Sequence, residues 1–249
     1  MNPPIVIQAV DCASAWAEAI LALKVHSWDA WNMVVTISQP CLENPDAFGC
    51  MTAFAQKHGL IIPKQVLHTI FPKQFYKAPH TKERMYRYYN KYYKWTRKLP
   101  HSGWGTYFKR MISYNTKDGR EYDQLDSIIK HINSRQKNYK AAHFMIIPQV
   151  GKESNRLMGA PCLNYVAVQV DGDVNCRKIS LLAVYRNHDY RERTYGNYLG
   201  LCELLKYICQ ETGSSVGQVT CVSSHAYVTN NKGELYTIAK GFLGESIND

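Results

Sequence analysis

Met158-Gly-Ala-Pro-Cys-Leu-Asn-Tyr-Val-Ala-Val-Gln-Val170 is the stretch from which the rest of the chain is read. Gly159 and Pro161 interrupt regular structure. The run from Cys162 to Val170 alternates well enough to be a strand. A loop thus delivers one cysteine to the mouth of a strand. Most free cysteines are small buried hydrophobes, and that is the ordinary reading of Cys162. The alternative is a nucleophile, which needs a cation to hold its thiolate and a substrate pocket around it. Asp171-Gly172-Asp173 reads as a hairpin turn, with residues 179–185 returning as the partner strand. Arg186 then stands at the end of the strand paired with the cysteine's own. A guanidinium there can hold a phosphate bidentately and lower the thiol pKa.

Working outward, residues 5–10 read as a strand, and Asp11 caps a helix over 13–25. Residues 33–38 have strand character. Residues 47–58 are helical and close at Gly59. The apolar segment 65–71 fits either type and stops at Pro72. Asp118-Gly119 marks a turn within 116–120. A helix follows over 122–132, with Leu125, Ile128, Ile129 and Ile132 on one face. Residues 141–150 are strand-like, 197–212 form an apolar helix closed by Gly213, and 219–228 form a last core strand. With no repeat, low-complexity tract or linker, the pattern predicts one α+β domain over residues 1–249.

The net charge of +10 favours an anionic partner, either a phosphorylated small molecule or nucleic acid. The eight cysteines include no CxxC pair, which argues against a zinc cage, and in a reducing compartment they are free thiols. No apolar stretch approaches the roughly 20 residues that span a bilayer. The first residues lack a basic n-region and an apolar h-region. The expected location is cytoplasmic, with no membrane partner. Residues 75–111 interleave tyrosines with Lys82, Arg84, Arg87, Lys91, Lys94, Arg97 and Lys98. Such a stretch either grips single-stranded nucleic acid or is an amphipathic helix with a tyrosine face on the core and a solvated basic face.

No GxGxxG, P-loop, HExxH or GxSxG occurs. What remains is Cys162, Tyr185-Arg-Asn-His-Asp189, Gly196-Asn197 and Ser223-Ser-His-Ala-Tyr227. The amide of Asn197 offers an acceptor and a donor, matching the O4/N3–H edge of uracil. His225 and Tyr227 alternate along a strand and share a face, which suits a sugar hydroxyl. Each taken alone is more often structural.

In order, these segments resemble the thymidylate synthase family over about half the chain. Gly105-Thr-Tyr107 is similar to its Gly-x-x-Tyr-Gly block, and Asp118-Gly-Arg-Glu-Tyr-Asp123-Gln124 to its Asp-Gly-Arg…Asp-Gln segment. Ala160-Pro-Cys162 resembles its Pro-Cys motif, Arg186-Asn-His-Asp189 its Arg-Ser-x-Asp, and His225-Ala-Tyr227 its His-x-Tyr, with Asn197 at the family's spacing from Arg186. The resemblance implies a thymidylate synthase-like fold: a mixed sheet flanked by helices, with a sheet face used for homodimerisation. Residues 1–100 would form a divergent N-terminal part and 105–228 the motif-bearing core. It implies that Cys162 attacks C6 of a pyrimidine nucleotide, so that C5 takes a one-carbon unit from 5,10-methylenetetrahydrofolate. Arg186 would bind the 5′-phosphate beside Asn187, Asn197 would read the base, and Asp189 would order the base site. His225 and Tyr227 would hold the ribose, and Tyr107 would help remove the C5 proton.

Departures are equally specific. The family's Ser-Arg-Arg, which supplies phosphate-binding arginines to the partner subunit, aligns with Asn138-Tyr139-Lys140, so Lys140 is the one cation left there. The family's Glu-Leu-x-Trp block has its nearest segment in Leu67-His-Thr-Ile-Phe-Pro72, which holds no carboxylate. The last residues, Gly-Glu-Ser-Ile-Asn-Asp, lack the family's apolar tail. The expectation is a divergent member that methylates or hydroxymethylates a uracil-type nucleotide. Two alternatives stand beside it: a non-catalytic nucleotide sensor on the same fold, and a base-modifying nucleic-acid binder using residues 76–98.

Overall fold

The computed structural model describes residues 3–76, 81–96, 105–116, 118–134, 138–140, 143–149, 153 and 159–244. In chain order these form β1 (Ile5–Ala9), α1 (Cys12–Val25), β2 (Asp29–Ile37), α2 (Pro45–Lys57), α3 (Pro63–Ile70), a 3-10 turn (Lys73–Phe75), α4 (Lys82–Thr96) and α5 (Tyr107–Ile112). A ribbon of β3 (Tyr114–Asn115) and β4 (Glu121–Tyr122) leads to α6 (Gln124–Ser134), β5 (Phe144–Ile146), β6 (Leu163–Asp171), β7 (Lys178–Tyr185) and β8 (His188–Asp189). The chain continues through α7 (Thr194–Thr212), β9 (Ser215–Tyr227) and α8 (Lys232–Phe242).

Local chemistry sets the helix ends. The Asp11 carboxylate accepts the Ser14 N–H at 2.7 Å and Ser14 Oγ lies 3.2 Å from the Asp11 N–H, a reciprocal capping box that opens α1. Asn44 caps α2 ahead of Pro45. Gly213, at φ 62°, ends α7 in the left-handed conformation. The ambiguous segment 65–71 is helical: Pro63 starts α3, and Val66, Leu67 and Ile70 share its buried side.

Period-two burial builds one mixed sheet in the order β1-β2-β9-β7-β6-β5, with β8 beside the end of β9. β1 and β2 are parallel, β9 runs antiparallel to β2 and parallel to β7, and β6 is antiparallel to both β7 and β5. One face is core: Met33, Val35, Val219, Cys221, Leu181, Ala183, Val166 and Val168 are buried. Helices α1 and α7 pack against these strands. The other face carries a row of Cα partners, Val34, Val222, Val184 and Tyr165, that are half-exposed.

The structure extends several expected elements. β2 and β9 begin four residues before their apolar runs, because ladder pairing continues through Asp29 opposite Tyr227 and through Ser215 opposite Lys178. The predicted strand 141–150 narrows to β5, and residues 141, 142, 150 and 158 lie outside the described set, as do Arg97, Lys98 and the last five residues. In α4, Met85 and Tyr89 are buried and Tyr89 packs edge-on against Phe108 at 4.7 Å. Tyr88, Tyr92 and Trp95 instead face outward with Arg84, Arg87 and Lys91. The expected tyrosine face is therefore split between core and solvent.

α3 lies directly on α7. A Cβ added at Gly196 would stand 2.5 Å from Val66 Cβ, and one at Gly200 would stand 2.9 Å from Ile70 Cβ. Glycine four residues apart on α7 thus permits the approach, which seats Asn197 under α3.

Candidate functional site

The sheet brings its motif-bearing ends together. Leu163 pairs with Tyr185, and the Arg186 N–H donates to the Cys162 carbonyl at 2.9 Å, so the cysteine loop is pinned to the end of β7. β8 sets His188 opposite Ala226 and Asp189 opposite Tyr227. α7 then carries Asn197 back over the sheet. Thr106 accepts the Lys109 N–H at 3.2 Å and opens α5, whose first residue is Tyr107. These elements enclose a cavity of about 290 Å3 lined by Tyr107, Cys162, Asn187, Asp189, Asn197 and Tyr227, together with Arg193, His188 and, from the α3 side, Ile61, Val66 and Thr69. A larger cavity of about 690 Å3 lies on the opposite side of α3 and α7, against Phe48, Leu67, Phe71 and Leu199, and contains none of the predicted residues.

Burial dominates the electrostatics. It raises the Cys162 thiol, while Arg186 and Arg193 pull that pKa down and Asp189 pushes it up. Arg186 therefore acts in the expected direction, but desolvation outweighs it, and the net shift of the thiol is upward. Burial likewise raises the Tyr107 phenol well above its ordinary range, although backbone N–H groups of Leu163 and Cys162 bond to its oxygen. The Asp189 carboxyl is raised for the same reason, even as it accepts the Arg191 N–H at 2.8 Å. Thiol, phenol and carboxyl all shift toward their neutral forms.

Three predicted residues stand off the cavity wall. Arg186 is exposed, and its guanidinium donates from Nε to the Pro161 carbonyl (3.2 Å) and from Nη2 to the Ala160 carbonyl (3.1 Å). It braces the cysteine loop and keeps further N–H groups for a ligand. His225 stacks on Tyr227 at 5.2 Å, which fits the shared face, yet both its nitrogens have protein partners: Asn187 Oδ1 at 2.7 Å and Asp29 Oδ2 at 2.9 Å. A sugar hydroxyl would have to displace one of them. Lys140 is 82% exposed, 3.8 Å from Asp171, at the far end of β6 from Cys162. Nine residues of strand, roughly 30 Å at the usual rise, separate it from the cavity of its own chain.

Two residues escaped the reading of the sequence. Arg193, just ahead of α7, lines the cavity and acts on Cys162. It stands in Arg191-Glu-Arg193, which looks like ordinary surface charge. His188 lies inside the quoted Arg-Asn-His-Asp motif but occupies its variable position. It is 1% exposed, and its ring nitrogens meet Ser223 Oγ at 2.8 Å and Asn197 Nδ2 at 3.0 Å. The signal available was its alternation with Asn187 in a strand-end segment. Among the described residues, no cluster of three or more His, Cys, Asp or Glu could hold a metal ion, and no helix is long and apolar enough to cross a membrane.

The sequence profile of the thymidylate synthase family matches residues 14–238. Among curated proteins, a "putative thymidylate synthase" of Methanosarcina mazei is 27% identical over 137 residues, covering 55% of this chain and 58% of the relative. A protein of the same name from Methanosarcina acetivorans matches at the same identity and coverage. One from Methanothermobacter marburgensis is 27% identical over 121 residues, 48% of this chain and 51% of the relative. The chain thus spans a little over half the length of the curated relatives it matches.

Proposed function

The chain belongs to the thymidylate synthase family, and from that premise we propose that it transfers a one-carbon unit to C5 of a pyrimidine nucleotide monophosphate, with Cys162 as the nucleophile. The observation that carries this is the convergence of Cys162, Asn197, Asp189, Tyr107 and Tyr227, from separate elements, on one cavity. Cys162 Sγ forms a bond to C6, and the electron pair of the 5,6-double bond passes to C5 and O4. C5 takes the one-carbon unit; loss of the C5 proton and of the donor's nitrogen leaves a methylene on C5, hydride or water adds to it, and departure of the thiolate then restores the 5,6-double bond. Arg186 and Arg193 favour the thiolate at the moment of attack.

The remaining roles follow from chemistry and position. Asn197 reads the base edge and favours uracil. Tyr107, a buried neutral phenol against the cysteine backbone, helps remove the C5 proton. Asp189 is the one carboxylate among the described residues lining the cavity, and burial raises its pKa, which favours the neutral carboxyl and suits a group that orders the base site. α3 offers Val66 and Thr69 there rather than a carboxylate, and Thr69 Oγ1 is engaged with the Val66 carbonyl at 2.7 Å. Asn187 and Tyr227, with His225 behind them, form the sugar side, and Arg186 takes the phosphate at the rim.

The cavity is at the lower edge of the usual size of ligand pockets and suits the nucleotide. Ile61 and Val66, on the α3 side of the cavity, offer apolar contact to a folate-type donor. When bound, 5,10-methylenetetrahydrofolate supplies the one-carbon unit, and whether hydride or water completes the transfer decides between a methyl and a hydroxymethyl product. The half-exposed row across the open sheet face supports a homodimer, and the distance of Lys140 from its own cavity supports its use in the partner's. The basic, tyrosine-rich stretch contributes α4, which does not line the cavity. One observation favours a second reading, a nucleotide-binding module without turnover: α3 brings no carboxylate to the cavity.

Mass spectrometry of products from dUMP, UMP, dCMP and CMP, each with methylenetetrahydrofolate, tests the proposal. A C5-substituted uracil nucleotide is expected with the wild type and not with Cys162→Ser. Tight nucleotide binding with no product from any of the four would favour the binding module instead.

A further inference from the structure

A buried polar chain runs behind the cavity. The His188 ring lies parallel to that of Tyr185, 4.1 Å away, with an interplanar angle of 3°. Nδ1 faces Ser223 Oγ at 2.8 Å, and Nε2 faces Asn197 Nδ2 at 3.0 Å. Ser223 reaches on to the Tyr190 phenol, which pairs with Tyr198 at 2.8 Å. His188, Ser223 and Asn197 are each at most 3% exposed, so solvent does not stand in for a lost partner.

With the Asn197 amide nitrogen turned to the ring, the remaining donors follow. An amide nitrogen only donates, so Nε2 of His188 must accept. A neutral imidazole has one N–H, so that hydrogen is on Nδ1 and goes to Ser223 Oγ. The serine hydroxyl is then left to donate to Tyr190. Complete burial keeps the ring neutral, with its pKa down to about 3. Turning the Asn197 amide over would set its oxygen against the lone pair of Nε2. Relief would need the ring proton to cross to Nε2 and the serine hydroxyl to reverse.

The order of oxygen and nitrogen on this amide is what separates the two pyrimidines. Uracil shows a donor at N3 and an acceptor at position 4, and cytosine shows the opposite pair. An amide pinned in one order complements one edge and meets the other with like against like. Resting on the proposed role of Asn197 as base reader, we propose that His188 is a positioning residue that pins the Asn197 amide and so sets the choice of uracil over cytosine. Ser223, by holding the His188 proton on Nδ1, belongs to the same device.

The test compares affinities for dUMP and dCMP by calorimetry, alongside the histidine tautomer by nitrogen-15 NMR. In the wild type, His188 should be protonated on Nδ1 and dUMP should bind in preference to dCMP. His188→Phe keeps the ring against Tyr185 but removes the acceptor, and the preference should fall by about tenfold or more, the cost of one unmatched buried hydrogen bond. Ser223→Ala should erode it in the same direction by freeing the tautomer, and His188→Gln, whose amide oxygen can accept, should restore part of it. An unchanged dUMP/dCMP ratio in folded His188→Phe would overturn the inference. So would a wild-type His188 protonated on Nε2, a result that needs no variant to fold. Failure of the wild type to bind either nucleotide would overturn the proposed function itself, which distinguishes the two failures.

Discussion

His188 and Cys162 show how far burial governs single residues here. His188 loses its charge on folding, with its pKa moving from about 6.5 down to about 3. Above pH 6.5 the ring is neutral in both the folded and unfolded chain. Below it, the unfolded chain takes up a proton that the folded chain refuses, so stability falls as pH falls toward 3. The expected slope from this residue is about 1.4 kcal/mol per pH unit. Urea unfolding at pH 7, 6 and 5 measures it, and His188→Phe should flatten the curve. His68, lowered to about 4 by burial and by Lys64 and Lys73, adds a smaller contribution of the same sign. At Cys162, Arg193→Gln should raise the thiol pKa and slow alkylation at pH 8, and Asp189→Asn should do the reverse, read as the pH midpoint of the alkylation rate. The place of Cys162 at the mouth of β6 and the shared face of His225 and Tyr227 were legible in the sequence, because a cysteine after Pro161 and a period-two alternation are local patterns. The direction of the thiol's pKa was not legible, since desolvation depends on what folds over it from α3 and α5.

Among the elements, the α3–α7 contact is the one on which the cavity rests. Gly196→Ala places a methyl where Val66 stands, and should destabilise the protein by about 1–3 kcal/mol, the usual cost of overpacking. Chemical denaturation checks this, and an unchanged midpoint would mean that the helices part without cost. The strands with clean alternation, β6 and β7, were readable as a hairpin, as was the strong helix ending at Gly213. α3 was not, because eight residues of mixed character fit either period. The early starts of β2 and β9 also escaped, because backbone pairing continues through Asp29 and Ser215 without apolar side chains to announce it. In α4 the interleaved tyrosines gave no clean face, and the helix indeed divides them between Phe108 and solvent.

At the scale of the whole molecule, the order of strands was beyond the sequence. β9 is the last strand yet sits between β2 and β7, and only long-range pairing gathers Cys162, Asp189 and Tyr227 at one end of the sheet. The resemblance to a family supplied that arrangement where periodicity could not. The open face predicts self-association. Val222→Lys, at its centre, should turn a sedimenting dimer into a folded monomer, and a wild-type chain that is monomeric at every concentration would contradict the dimer. If Lys140 serves the partner's cavity, mixing Lys140→Ala with Cys162→Ser chains should restore activity that neither has alone. The central claim, attack by Cys162 followed by transfer at C5, is tested most directly by tritium release from C5-labelled dUMP with methylenetetrahydrofolate. Release by the wild type that is abolished in Cys162→Ala is the predicted result. No release from dUMP, UMP, dCMP or CMP, or release that survives Cys162→Ala, would contradict it.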